Sequence, residues 1–104
     1  MTYSQKVKQS KNVLDAIQSL QDGESIEVSY GKDRKGEPKT YSIKAYKSYK
    51  DEVTYSIWSS FQGMNIDKIG KTTMRGYTYD MMSQKTTYTF NLYQFNKVDQ
   101  YEVI

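Results

Sequence analysis

The sequence contains neither histidine nor cysteine in its 104 residues. Histidine is the commonest metal ligand and titrates near neutrality, and cysteine supplies thiolates for nucleophilic attack, zinc binding and disulfides. Their joint absence excludes a Ser–His or Cys–His nucleophile, a structural zinc site and a disulfide framework. The Gly-x-Gly-x-x-Gly, P-loop and Gly-x-Ser-x-Gly motifs are also missing. The sequence therefore predicts a protein that is not an enzyme and uses no cofactor or metal.

Long apolar stretches are missing too, because no run approaches the roughly 20 residues that cross a bilayer. Residues 1–11 are polar and rich in lysine, and they lack the apolar segment of a secretory signal. These features predict a cytoplasmic protein with no membrane partner. A chain of this length predicts one domain over residues 1–104, with a core of modest size.

The abundant residue is tyrosine, which occurs eleven times beside one tryptophan and three phenylalanines. Tyrosine combines a large apolar ring with one polar tip, orders at low entropic cost and is enriched at binding surfaces. The net charge of +3 is uneven, because residues 1–50 carry ten Lys and Arg against six Asp and Glu, whereas residues 51–104 carry five against six. An anionic partner would therefore dock on the first half of the chain, but a solvated surface is the favoured interpretation of so small an excess.

One segment has the apolar periodicity of a helix, between Tyr3 and Leu20. The pattern predicts a helix that has Ser4 or Ser10 as its N-cap and stops at Asp22–Gly23. After that glycine the period changes to two, which is typical of strands.

Alternating segments predict strands at 25–30, 41–46, 53–58, 72–79 and 86–95, with a bulge at Gly76 and a short edge strand within 98–104. Residues 61–71 break the alternation and predict a loop or a single helical turn. Successive strands with short connections favour a meander, so the predicted fold is α+β, with one N-terminal helix packed on a five- or six-stranded antiparallel sheet. Met64 and Met74 are expected to fill its core, and at least one of Met81 and Met82 to be exposed.

A basic hairpin tip is the first candidate for binding. Four cations lie within eight residues, namely Lys32, Arg34, Lys35 and Lys39. A mobile tip of this kind can follow phosphates. Two acidic residues in the same loop dilute its charge, and a loop that only improves solubility is the favoured alternative.

An exposed sheet face is the second candidate. If the apolar residues of the strands point toward the helix, then the alternate residues point away from it, namely Lys44, Tyr46, Lys50, Thr54, Ser56 and Trp58. Rings mixed with lysines can stack on the bases of single-stranded nucleic acid, or they can form the hot spots of a protein interface. A lone tryptophan is more often packed than displayed, so both hypotheses depend on exposure of Trp58 and Tyr46.

The leading hypothesis is a small non-enzymatic protein-binding module. The Lys-, Tyr-, Asn- and Ser-rich composition is typical of accessory proteins of phages and mobile elements, which favours a stoichiometric inhibitor of a host or defence enzyme. The alternative is a single-stranded DNA- or RNA-binding protein, which ranks second because a charge of +3 with only two arginines is small for that class. A third hypothesis is a homodimer that forms when residues 101–104 add a strand across a two-fold axis.

Overall fold

The computed structural model describes residues 1–59, 62–97 and 102–103. Its helix, α1 (Tyr3–Gln18), begins with a capping box in which the Gln5 amide donates to the Thr2 hydroxyl at 3.2 Å and the Thr2 amide donates to the Gln5 side chain at 2.9 Å. These bonds satisfy donors that a helix start leaves unpaired. The predicted N-caps Ser4 and Ser10 are wrong, because both lie within the helix and Ser10 is fully buried.

Six long antiparallel strands follow the helix. They are β1 (Glu24–Lys32), β2 (Pro38–Lys47), β3 (Val53–Trp58), β4 (Gly63–Ile69), β5 (Thr73–Tyr79) and β6 (Lys85–Asn91). Each pairs with the next along the chain, so the predicted fold class, one helix on an antiparallel meander, is confirmed.

Two short strands extend the sheet beyond β1. They are β7 (Asn96–Lys97) and β8 (Glu102–Val103), and both pair with the edge of β1 that faces away from β2. Strand β8 lies within residues 98–104, where a short edge strand was expected. The other residues of that segment, 98–101 and 104, lie outside the described part of the chain. Residues 102–103 pair with β1 of their own chain, and the homodimer that residues 101–104 would form by adding a strand across a two-fold axis stays a prediction.

Strand β4 shows that the prediction of a loop or a helical turn over 61–71 is wrong. Met64 and Ile66 alternate as in any strand, but the next apolar residue, Ile69, comes three positions later. A register shift against β5 between Ile66 and Lys68 inserts one residue, and Ile69 then packs against the core again. This bulge hides the period of two in the sequence.

The bulge predicted at Gly76 lies instead on the neighbouring strand β4, where Asp67 is the extra residue next to the Ile66–Gly76 pair. A Cβ at Gly76 would lie 3.4 Å from the Met64 Cβ and 3.5 Å from the ring of Phe90. These are ordinary van der Waals distances, so the space at Gly76 does not require glycine.

Strand β6 ends at Asn91, earlier than the predicted limit of residue 95. The chain then turns through a 3-10 helix, Leu92–Gln94, which packs against α1. The turn buries Leu92 fully, and Phe95 behind it is also buried. The sequence pattern does not reveal this end, because Leu92 keeps the alternation of the strand.

Three hairpin turns share the same two hydrogen bonds. The amide of the first turn residue donates to the carbonyl of the residue four positions later, and the carbonyl of the first residue accepts from the amide three positions later. The first residues are Asp33, Ser48 and Asp80. The residues three positions on have positive φ, at 81° for Gly36, 61° for Asp51 and 60° for Ser83. Turns of this geometry fix the register of the strands that they join.

The core lies between α1 and the concave side of the curled sheet. Ile17 and Leu20 of the helix pack with buried sheet residues that include Ile26, Ile43, Ile57 and Met74.

An aromatic cluster joins the two ends of the meander. The ring centroids of Tyr30 on β1 and Phe90 on β6 are 5.4 Å apart, and those of Tyr41 on β2 and Phe90 are 6.1 Å apart. Strands that are four and five places apart in the sheet thus meet through side chains, and the sheet forms a half-barrel.

The methionines divide as predicted. Met64 and Met74 are buried, whereas Met81 and Met82 at the β5–β6 turn are both exposed. In the described part of the chain, no helix has the length and apolar character needed to span a bilayer.

Candidate functional site

The strand register places Lys44, Tyr46 and Trp58 together on the side of the sheet away from α1, which we call the outer face. Lys44 pairs with Ser56 of β3, and Ser42, in the same alternating set, pairs with Trp58. The alternate pair, Ile43 and Ile57, is fully buried on the helix side. The same alternation places Thr54 and Ser56 on the outer face, as predicted.

Trp58 is 52% exposed, although a lone tryptophan is more often packed. Its indole N–H donates to the Ser56 hydroxyl at 2.7 Å. Its ring lies against the backbone of Gly63, its register partner on β4, at a place where a Cβ would overlap the ring. The indole is therefore held in one orientation against the sheet while half of its surface stays accessible.

Three tyrosines, Tyr46, Tyr77 and Tyr79, lie on the same face as the indole, on β2 and β5. Tyr46 is partly buried, and its hydroxyl donates to Asn65 Oδ1 at 3.3 Å. Tyr77 pairs with Asn65 in register and meets the ring of Tyr79 edge-on, with centroids 5.8 Å apart. Contacts of this kind fix ring orientations before any partner binds.

An ionic cluster lies next to these rings. Arg75 donates to both carboxylate oxygens of Asp67 at 3.0 Å, and Lys85 lies 3.9 Å from the same carboxylate and 4.6 Å from the centre of the Tyr77 ring. The hydrogen bond from Arg75 is the main cause that lowers the pKa of Asp67 below its ordinary value of 3.8, and the same bond raises the pKa of Arg75. The Asp67 carboxylate therefore offsets one of the two positive charges that Arg75 and Lys85 bring to this face.

The basic hairpin projects beyond the end of the sheet near Trp58. Ser42 pairs with Trp58, the last residue of β3, and the strand continues to the turn at Gly36, about 20 Å further at about 3.3 Å per residue. Of the predicted residues, Lys32, Arg34, Lys35 and Lys39 are all exposed on this hairpin.

The hairpin cations do not all share the outer face. Lys39 alternates with Thr40 and so lies on the other side of β2 from Lys44 and Tyr46. Asp33 accepts hydrogen bonds from the amides of Lys35 and Glu37, so its carboxylate is used to hold the turn. The structure therefore joins Lys44, Tyr46 and Trp58 in one surface and presents the four hairpin cations as a separate projection.

Sequence reasoning missed the part of the outer face that β5 contributes. Arg75, Tyr77 and Tyr79 alternate along this strand, and this signal was present in the sequence. Their position beside Trp58 depends on β4, which lies between β3 and β5 in the sheet and which was expected to be a loop.

A cavity of about 370 Å³ lies between α1 and β1. Its floor is apolar, with Val13, Ala16, Ile17, Ile26, Val28 and Phe95, and its polar lining consists of Gln9, Asn12, Tyr93 and Asn96. No charged side chain lines it, and it lies on the opposite side of the sheet from Trp58.

No described residues form a group of three or more Asp and Glu placed to hold a metal ion. No protein-family model, curated protein or solved structure matches this chain. The candidate site is therefore argued from the geometry of the outer face alone.

Proposed function

We propose that the protein is a small non-enzymatic module that binds another protein through its outer face. The observation that carries the proposal is the half-exposed indole of Trp58, which Ser56 and Gly63 hold in place on a face that also carries three tyrosines. Tryptophan and tyrosine dominate the hot spots of protein interfaces, and rings that are already ordered lose little entropy on binding.

The charge of the outer face supports a protein partner over a nucleic acid. Arg75 makes a two-pronged ion pair with Asp67, and Lys85 lies beside the same carboxylate. Phosphate binding requires cations that remain available, because neutralised phosphates supply most of the affinity for nucleic acid. Among the salt bridges of the described residues, none is recorded for Lys44 or for Lys68, which pairs with Arg75 and so lies on the same face.

The composition favours one kind of protein-binding module. This is an inhibitor of a host or defence enzyme, of the type found among accessory proteins of phages and mobile elements. A domain that binds through one ordered face and carries out no chemistry acts stoichiometrically. Its inhibition would reach completion near one equivalent of protein per binding site.

The test is capture of partners from an extract of the organism that carries the gene, comparing the wild type with Trp58→Ala. A matched control is Tyr49→Ala, since Tyr49 is 94% exposed in the β2–β3 turn, away from the outer face. We expect a protein that the wild type and the Tyr49 variant retain and that the Trp58 variant loses, because truncation of a hot-spot tryptophan weakens binding by roughly 30-fold or more. Identical partner profiles for all three proteins, or recovery of nucleic acid without protein, would overturn the proposal.

Binding of single-stranded DNA or RNA is the second candidate, and the shared surface of Trp58, Tyr46 and Lys44 favours it. Bases that stack on Trp58 would quench its fluorescence, and the affinity would fall steeply as the salt concentration rises. Lys44→Glu should abolish this quenching, whereas Lys11→Glu on the exposed side of α1 should leave it unchanged. Absence of quenching by oligonucleotides at low salt removes this candidate.

A further inference from the structure

The two edges of the sheet differ in the length of their edge strands. Beside β1 the sheet ends in β7 and β8, which have two residues each. Strand β6, at the other end, pairs with β5, and no other strand of the described residues pairs with it. An uncovered edge exposes a row of backbone donors and acceptors that can template another strand.

The positions with outward-pointing backbone groups follow from the hydrogen bonds at both ends of β6. In an antiparallel ladder, hydrogen-bonded and non-hydrogen-bonded pairs alternate. The Asp80 amide donates to the Gln84 carbonyl at one end, and the Leu92 amide donates to the Thr72 carbonyl at the other. The even-numbered residues from 84 to 92 therefore form the hydrogen-bonded pairs with β5. The N–H and C=O groups of the residues between them point away from β5, namely those of Lys85, Thr87, Thr89 and Asn91.

The outward amide of one of these four residues already has a hydrogen-bond partner within the protein. The Asn91 amide donates to the hydroxyl of Tyr30 at 3.2 Å, across the gap of the half-barrel. The edge that stays open therefore consists of Lys85, Thr87 and Thr89, and Thr87 is its centre.

We propose that a second copy of this chain pairs antiparallel with β6, in a register centred on Thr87 across a two-fold axis. Thr87 then lies opposite Thr87 of the second copy, and Lys85 lies opposite Thr89. Every open position meets an open position, so the outward donors and acceptors on both copies find partners. The edge of β6 adjoins the outer face, because Lys85 contacts Tyr77, but it binds through backbone groups and the proposal does not depend on the proposed function.

The side chains fit this register. Lys85 is the one charged residue of β6, and it lies opposite a threonine, so no like charges meet. Tyr88, which is 50% exposed, lies opposite Thr86 of the second copy in a non-hydrogen-bonded pair. Such aromatic and β-branched pairs stabilise antiparallel strands. The strand carries none of the charges or prolines with which sheet edges are usually protected, apart from Lys85 at its start.

The absence of cysteine from the chain allows a direct test by disulfide formation. Cα atoms of a hydrogen-bonded antiparallel pair are about 5.5 Å apart, within the range that a disulfide spans. We expect Thr87→Cys to form a covalent dimer in glutathione buffer at least roughly tenfold faster than Tyr49→Cys, which presents an exposed thiol in a remote turn, since a preformed pair has a high effective concentration. If Tyr88→Cys links to itself faster than Thr87→Cys does, the register is wrong.

A proline variant tests pairing through the edge of β6 without changing the stability of the fold. Thr87→Pro removes an outward N–H but no hydrogen bond to β5, so it should leave the circular dichroism spectrum and melting temperature nearly unchanged. Sedimentation of the wild type should show a dimer, and Thr87→Pro should weaken it by roughly tenfold or more, because two edge hydrogen bonds are lost per dimer. A wild type that stays monomeric up to its solubility limit, or a dimer that Thr87→Pro leaves intact, would overturn the proposal.

Discussion

The indole ring of Trp58 occupies the place that a Cβ would take at Gly63, its register partner on β4. A side chain at Gly63 would occupy the place of the ring. The glycine is therefore part of what orients the indole, and the two residues act as one unit of the outer face.

Gly63→Ala should displace the indole of Trp58. We expect the emission of the chain's one tryptophan to shift to longer wavelength as the ring moves into water, and the free energy of unfolding to fall by about 1–3 kcal/mol from the forced rearrangement. Gly70→Ala is the control, because a Cβ there would meet Thr73 at an ordinary 3.5 Å. Equal spectra for the two variants would show that Gly63 does not position the ring.

The pair of Arg75 and Asp67 should set the acid titration of this face. Because the pKa of Asp67 is lowered, the pair stabilises the fold above the ordinary carboxyl pKa of 3.8, and this contribution is lost as the pH falls through the lowered value. Arg75→Gln should raise the titration midpoint of Asp67, measured by carbon-detected NMR, while Arg34→Gln, which removes the other arginine, should leave it in place. A midpoint unaffected by Arg75→Gln contradicts the assignment.

The helix and most strands could be predicted from the sequence because their apolar periods are regular and their turns carry glycine, aspartate or serine. The outer face could be predicted only over β2 and β3. The bulge between Ile66 and Lys68 breaks the period of β4, and without β4 the rings of Tyr77 and Tyr79 have no determined neighbour. Long-range closures such as the bond between Tyr30 and Asn91 leave no local signal, since they depend on how far the sheet curls.

Replacement of Ser10 by alanine should stabilise the protein. Its hydroxyl is fully buried and has no hydrogen-bond partner among the described residues. A buried, unpaired hydroxyl costs about 1–3 kcal/mol, so Ser10→Ala should raise the free energy of unfolding by roughly 1 kcal/mol or more. Ser4→Ala, on the exposed surface of the same helix, should gain no more than the roughly 0.5 kcal/mol of better helix propensity. Equal gains in urea denaturation would mean that burial of the Ser10 hydroxyl carries no penalty.

Ala16 should tolerate, and benefit from, a larger side chain. It is partly buried and lines the cavity of about 370 Å³ between α1 and β1, so leucine at this position can extend into space bounded by Val13 and Val28. Filling a cavity of this kind adds about 0.5–2 kcal/mol to the free energy of unfolding. Ala45→Leu is the matched control, because Ala45 is fully buried and lines no described cavity, and overpacking there should cost about 1–3 kcal/mol. Opposite signs for the two variants in thermal or urea denaturation are the expected result, and destabilisation by both would mean that the space beside Ala16 is not free for a side chain.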